Sequence, residues 1–499
     1  MAGIEAALIN EAEIVGLFPV PGALPIIGLP ASVLEKINYV KKALRQSYNI
    51  PQGRRVYITS DIHSDLEKLM FLFYSVGLID NYYTTNPADA AFPNYVSNPI
   101  QILTFITDFK IIYPAQFICI LVGDIVDGAR YDNGPQYSVN DPIGNLEILL
   151  HIFLFNFRIK ASAVGSELRF TIGNHDWGTV VNKHYNAYMY LNYVTDSSKL
   201  YFNPNFNLAL ASAYKGPPVA YPHAIQQDII QSWQNRRACL LPFYEACPFL
   251  VTTIDTEVIC IHGGLFRGGI HGEPAQVNMT NNLILIQQKI DQANNFAVIS
   301  DAENDFLSNS NNMPSPLWTR YYQGVDRIAA CTRTAFKMTV VGHCPTDMPR
   351  GGYHLELMYE PRYAGCAAGG CVLVGCERDD GPGLALVDIT LSRAFSPGDS
   401  NDTRRADFLY LTNNPALPPT RFYNNVYRIN VGGPSPQDII QIYPHSPESP
   451  DPGLPALPAG PDPPALPPPP APPVNVSMAG GKRRKRTCHK RKISRKNRR

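Results

Sequence analysis

The chain has 499 residues, 45% of them hydrophobic and 17% charged, with a formal net charge of +1. That composition can bury a sizeable core and excludes a collagenous, wholly disordered or polytopic membrane protein. The near-zero charge conceals an asymmetry: Lys482–Arg499 holds 12 Lys/Arg and no acid, which leaves residues 1–481 with 31 bases against 42 acids, a net of −11. An acidic body and a basic tail are therefore read separately.

Residues 1–50 are expected to form an arm and a helix. Ile14–Leu34 is uncharged and long enough to span a bilayer, but Pro19, Pro21, Pro25 and Pro30 interrupt it, so it reads as an irregular arm lying on the domain and no transmembrane segment is expected. No basic stretch precedes it, so no secretory leader is expected either. The spacing of Val33, Ile37, Val40 and Leu44 predicts a helix over Ala31–Arg45.

Residues 51–435 read as one domain with insertions. Short β-branched runs at Arg55–Ser60, Phe117–Val122, Leu168–Ile172, Val258–Ile261 and Lys337–Val341 predict strands, and helix-compatible segments such as Leu146–Ile159 and Leu283–Asn294 fall between them. The alternation predicts an α/β or mixed-sheet domain whose chemistry collects at strand ends. Stretches rich in Tyr, Asn and Pro around 82–99 and 184–222 read as surface insertions. Cys371–Gly375 and Leu384–Thr390 read as a late hairpin, and Phe422–Val431 as a further strand.

Residues 444–480 read as a proline-rich linker, with 15 prolines between Pro444 and Pro473. Such a segment favours extended polyproline and buries no core. It leads to the basic tail, 482–499, where Lys482, Arg483, Arg484, Lys485 and Arg486 are candidates for contacting nucleic-acid phosphates or for nuclear targeting. A proline-rich spacer before an Arg/Lys-dense end also resembles, in composition, ends found in proteins of large DNA viruses. The ten cysteines form no CxxC pair and several lie in apolar runs, which suits reduced, buried thiols and an intracellular setting, cytoplasm or nucleus.

The chemistry-bearing residues sit behind the five predicted strands. In order they are Ser60-Asp61-Ile62-His63, Gly123-Asp124-Ile125-Val126-Asp127-Gly128, Gly173-Asn174-His175-Asp176, His262-Gly263-Gly264-Leu265 and Gly342-His343-Cys344-Pro345-Thr346. Each alone reads as a turn or a satisfied histidine. Together they supply carboxylate, imidazole and amide oxygen, the ligands that first-row metals accept, and strand-end placement directs them to one sheet edge.

This ordered set resembles the calcineurin-like metallophosphoesterase superfamily, and within it the phosphoprotein-phosphatase-like branch whose bacterial-type members end in GHxPT. The resemblance spans about residues 54–346 and implies a sandwich of two mixed β-sheets flanked by helices. It implies that Asp61 and His63 bind one metal, that Asp124 bridges two, and that Asn174, His262 and His343 complete the second, with Mn, Fe or Zn as the ions. It makes His175 the general acid, Asp127 its orienting carboxylate, and Asp176 a support behind the ligands. Branch members carry an arginine where this chain has Gly128. Arg130 and Arg320, the latter in Pro316-Leu317-Trp318-Thr319-Arg320-Tyr321, are the candidates for clamping phosphate.

The activity expected is hydrolysis of a phosphomonoester, Ser/Thr-phosphatase-like, by attack of metal-bound hydroxide without a phosphoenzyme. Two other readings stay open: a pyrophosphohydrolase of dinucleoside polyphosphates or RNA caps, and an inactive nucleic-acid-binding or virion protein on the same fold.

Overall fold

The computed structural model describes residues 2–15, 28–50, 54–84, 90–97, 101–113, 116–126, 146–182, 223–255, 258–263, 279–308, 315–318, 338–343, 377–378, 381–382, 406–412, 425–431 and 438–443. All belong to one unit, residues 1–457.

Every one of the five expected strands is present, within one residue at each end: β2 (Arg55–Thr59), β3 (Phe117–Val122), β4 (Glu167–Thr171), β6 (Val258–Cys260) and β7 (Met338–Val340). They divide between two mixed sheets. The larger has the order β12-β11-β10-β2-β3-β4, in which β2, β3 and β4 run parallel while β10 (Ala406–Thr412), β11 (Asn425–Val431) and β12 (Asp438–Tyr443) run antiparallel to their neighbours. In the smaller, β1 (Asn49–Ile50) pairs parallel with β5 (Thr252–Ile254), β5 antiparallel with β6, and β6 parallel with β7. The fold is thus α/β with two mixed sheets, as expected. Among the described residues of the predicted late hairpin, β8 (Glu377–Arg378) and β9 (Gly381–Pro382) pair antiparallel, while Cys371–Gly375 and Leu384–Thr390 lie outside the described residues.

β3 is apolar at all six positions, Phe-Ile-Cys-Ile-Leu-Val, because both its faces are covered and all six side chains are buried. One cover is a helix layer. The helices, in chain order, are α1 (Ala2–Glu5), α2 (Glu11–Val15), α3 (Ala31–Ala43), α4 (Leu66–Ser75), α5 (Gln101–Asp108), α6 (Leu146–Ala163), α7 (Asn174–Asp176), α8 (His223–Ala246), α9 (Met279–Ala293) and α10 (Asp301–Leu307). α6 packs against β4 and runs four residues past its expected end, stopping before Gly165, whose φ is +76°. Phe153 and Phe157 of α6 meet Phe109 and Phe73 at ring separations of 5.0 and 4.8 Å, placing an aromatic seam at the centre of the core.

The described N-terminal residues pack against the core: Ile9, Ile14 and Leu29 are buried in it, and the Asn156 side chain both accepts from Ile9 N–H and donates to Ile9 C=O, each at 3.0 Å. No helix among the described residues is long and apolar enough to cross a membrane. Cys119, Cys239, Cys247 and Cys260 are free and buried. Burial pushes the thiols of Cys119, Cys239 and Cys260 well up, which makes them packing residues rather than nucleophiles.

Candidate metal centre

β2, β3 and β4 are parallel neighbours, so the loops leaving their C-terminal ends emerge side by side. The loop after β2 is tied to the loop after β3 by three backbone bonds: Asp61 N–H to Gly123 C=O (3.0 Å), His63 N–H to Asp124 C=O and Ser64 N–H to Ile125 C=O (both 2.8 Å). The loops of the second sheet are joined in the same way, with Gly342 N–H donating to His262 C=O at 2.8 Å. The two sets meet where His343 N–H donates to the Asp61 carboxylate at 3.0–3.2 Å.

These turns are strained. Of the seven described non-glycine residues with positive φ, five lie in them: Asp61 (+51°), His63 (+44°), Ser64 (+60°), Asp124 (+52°) and His343 (+71°). A non-glycine residue held there costs on the order of 1–3 kcal/mol, and such costs concentrate at functional sites. Close approach adds a second constraint. A Cβ on Gly173 would overlap the amide and carboxylate of Asp124, and one on Gly342 would lie 2.5 Å from Asp61 Oδ2.

Asp124 is the hub. Two groups of side chains offer ligand atoms that all lie within 4.8 Å of one another, His63–Asp124–His175 and Asp124–His262–His343, and every member is buried. Asp61 joins the first group, its Oδ1 lying 3.9 Å from His63 Nε2, and Asn174 joins the second, its Oδ1 lying 2.9 Å from His262 Nε2. Backbone carbonyls orient the imidazoles: Val126 C=O accepts from His63 Nδ1 at 3.1 Å, and Val122 C=O accepts from His262 Nδ1 at 2.8 Å. Each bond turns the other ring nitrogen, Nε2, toward the carboxylates.

Burial alone would raise the Asp124 pKa, but the imidazoles of His262, His175 and His63 and a hydrogen bond from His262 hold it well below the usual carboxylate range. Burial alone would lower His262, yet Asp124 and Asp61 raise it to about 9. Asp61 is pushed up by burial, against the pull of His262. Asp176 is also raised, by burial and by the nearby Asp124 charge.

The donor set is of the kind that divalent first-row cations accept. Imidazole, carboxylate and amide oxygen are their ligands. His262 Nε2 lies 2.9 Å from Asn174 Oδ1 and 3.2 Å from Asp124 Oδ2. The three atoms are therefore near enough to one another that one ion could meet them all.

The structure therefore brings together Asp61, His63, Asp124, Asn174, His175, His262 and His343, all of them buried. Asp127, Arg130, Arg320 and Lys482, Arg483, Arg484, Lys485 and Arg486 lie outside the described residues. Trp318, in the segment quoted for Arg320, packs its ring edge-on to His343 with centroids 6.0 Å apart. One neighbour had no signal in the sequence: Tyr244, 68 residues from Asp176, donates its hydroxyl to Asp176 Oδ1 at 2.6 Å.

No family model matches the chain, and no curated protein does. Among solved structures, a cold-active protein tyrosine phosphatase of a psychrophilic Shewanella species aligns at 14% identity over 78% of this chain and 81% of its own, with a TM-score of 0.39. A serine/threonine phosphatase from Saccharomyces cerevisiae aligns at 11% identity over 85% and 92%, with a TM-score of 0.34.

Proposed function

We propose that this chain is a metal-dependent phosphoesterase that hydrolyses a phosphomonoester. The observation that carries the reading is the buried Asp124 carboxylate, shared by two histidine-containing groups and reached by loops held in left-handed backbone. Asp61, His63 and Asp124 would hold one ion, and Asp124, Asn174, His262 and His343 the other, with Mn, Fe or Zn as the metals. Bound there, two such ions supply a water acidic enough to attack at neutral pH and neutralise phosphoryl charge.

The remaining steps fall to the chain's own groups. His175 is the proton donor to the leaving oxygen, with Asp127 as its orienting carboxylate; its backbone N–H, bonded to Asp124 Oδ1 at 2.9 Å, ties it to the hub. Asn174 Nδ2, buried and without a hydrogen-bond partner among the described residues, offers a donor to a phosphoryl oxygen. Arg320, two residues beyond Trp318, and Arg130 supply planar cations for the phosphate. The substrate is a phosphorylated molecule met inside a cell, and Lys482–Arg486 give the tail its affinity for nucleic acid.

The test is hydrolysis of p-nitrophenyl phosphate and of a dinucleoside polyphosphate by metal-stripped protein given back Mn, Zn or Fe, with bound metal quantified. Turnover that needs metal and falls to background in Asp124→Asn and His175→Ala is expected. Preference for the dinucleoside substrate would move the assignment to anhydride hydrolysis. Two tightly bound ions with no turnover on either substrate would favour a binding protein, and no bound metal would overturn the site.

A further inference from the structure

α8 reaches the metal centre through one hydroxyl. Tyr244 is fully buried near the end of that helix and donates its O–H to Asp176 Oδ1 at 2.6 Å. Its ring stands edge-on to Phe170 at 5.6 Å and lies against His151 at 5.1 Å, so the hydroxyl is held from two sides.

Asp176 distributes that anchor. Its Oδ1 also accepts the N–H groups of Ile125 and Val126, at 3.0 and 3.2 Å, and its Oδ2 accepts Gly173 N–H at 2.8 Å. Those amides belong to the two loops that carry Asp124 and Asn174. The loop after β3 is thus gripped from one side by the first-motif backbone and from the other by a single carboxylate. Asp124 has a positive φ, so releasing one grip lets the backbone relax away from the shared position.

We infer that Tyr244 is a positioning residue for the metal centre: its hydroxyl fixes the Asp176 carboxylate, which fixes the loops presenting Asp124 and Asn174. The inference rests on the metallophosphoesterase reading. Without the hydroxyl, the buried Asp176 carboxylate keeps, among the described residues, the three amide donors and turns toward them, and the hub shifts with it. Supports behind metal ligands of this kind are typically worth about 10–100-fold in metal affinity.

The experiment is a cobalt titration of the metal-stripped full chain, reading affinity by calorimetry and coordination by the visible absorption band. Tyr244→Phe is compared with the parent and with Tyr113→Phe, which removes a hydroxyl of equal bond length, 2.6 Å to Arg55 Nη1, from elsewhere in the fold. Tyr244→Phe is expected to bind cobalt at least about tenfold more weakly with an altered band, while Tyr113→Phe matches the parent. Parent-like affinity and band in Tyr244→Phe, or equal weakening in both variants, would overturn the inference alone. A parent that binds no cobalt would sink the function reading and this inference with it. If Tyr244→Phe gives no melting transition, Phe170→Leu, which keeps the hydroxyl but removes the ring that holds it at 5.6 Å, is titrated instead: weaker cobalt binding with an altered band is expected, and parent-like affinity and band would overturn the inference.

Discussion

His262 Nε2 and Asp124 Oδ2 lie 3.2 Å apart in a fully buried pair, and with His262 raised to about 9 and Asp124 held low, the pair is ionic at neutral pH. The proton sits on the nitrogen that a cation would use. Metal and proton therefore compete for one atom.

Metal uptake should accordingly release protons. In calorimetric titrations of metal-stripped protein at pH 7, run in two buffers of different ionisation heat, release of about one proton at the His262 half of the site is expected. Affinity should rise roughly tenfold per pH unit and level off above about 9. Affinity that is flat from pH 6 to 9 would contradict the ion-pair assignment. The metal-free fold has the matching signature. His262, raised, contributes stability that is present below its ordinary pKa and lost as pH climbs through about 9, while Asp124, lowered, contributes stability that is lost on acidification.

Gly342→Ala should damage the site without touching a ligand. The added Cβ would lie 2.5 Å from Asp61 Oδ2 and 2.7 Å from Ser60 Oγ, so the Asp61 carboxylate must move. A loss of about 1–3 kcal/mol in urea unfolding and weaker binding of the first ion are expected. An unchanged metal stoichiometry and melting curve would show that the loop yields freely.

Arg236 and Glu147 form a buried ion pair between α8 and α6, at 2.6 and 3.2 Å. Arg236→Ala removes both of these bonds from a buried carboxylate and should cost about 3–5 kcal/mol in urea melts, most of it recovered in the double variant Arg236→Met with Glu147→Leu. A single variant within about 0.5 kcal/mol of the parent would show that the pair contributes nothing net.

Deleting residues 482–499 should leave hydrolysis of a small phosphoester unchanged and flatten the salt dependence of nucleic-acid binding. Each lost phosphate contact removes up to about 0.9 from the logarithmic slope. Binding by filter retention that keeps its slope after the deletion would remove the tail from the interface.

The cluster that the structure brings together was legible because its signals are local. Each of Asp61, Asp124, Asn174, His262 and His343 stands within three residues of the end of a β-branched run, and parallel pairing of β2, β3 and β4 turns those separate positions into one edge. β10 and β12 were not singled out: Ala406–Thr412 and Asp438–Tyr443 are antiparallel strands near proline- and asparagine-rich stretches, the place of β10 beside β2 depends on pairings more than 300 residues apart, and β12 joins the sheet only through β11. The Tyr244–Asp176 contact was invisible for a related reason: a helix residue finds its acceptor through packing, which no spacing encodes.

The placement of β10 beside β2 also governs when the centre can form. A ribosome that has released His343 has delivered every proposed ligand, yet Val56–Ile58 still lacks the antiparallel partner, Leu409–Leu411, that covers its free side. Until that later segment emerges, the strand leading to Asp61 and His63 is a bare sheet edge, open to pairing with another nascent chain. Maturation of the centre is thus timed by a segment that contributes nothing to its chemistry, and chains truncated soon after His343 should aggregate rather than load metal.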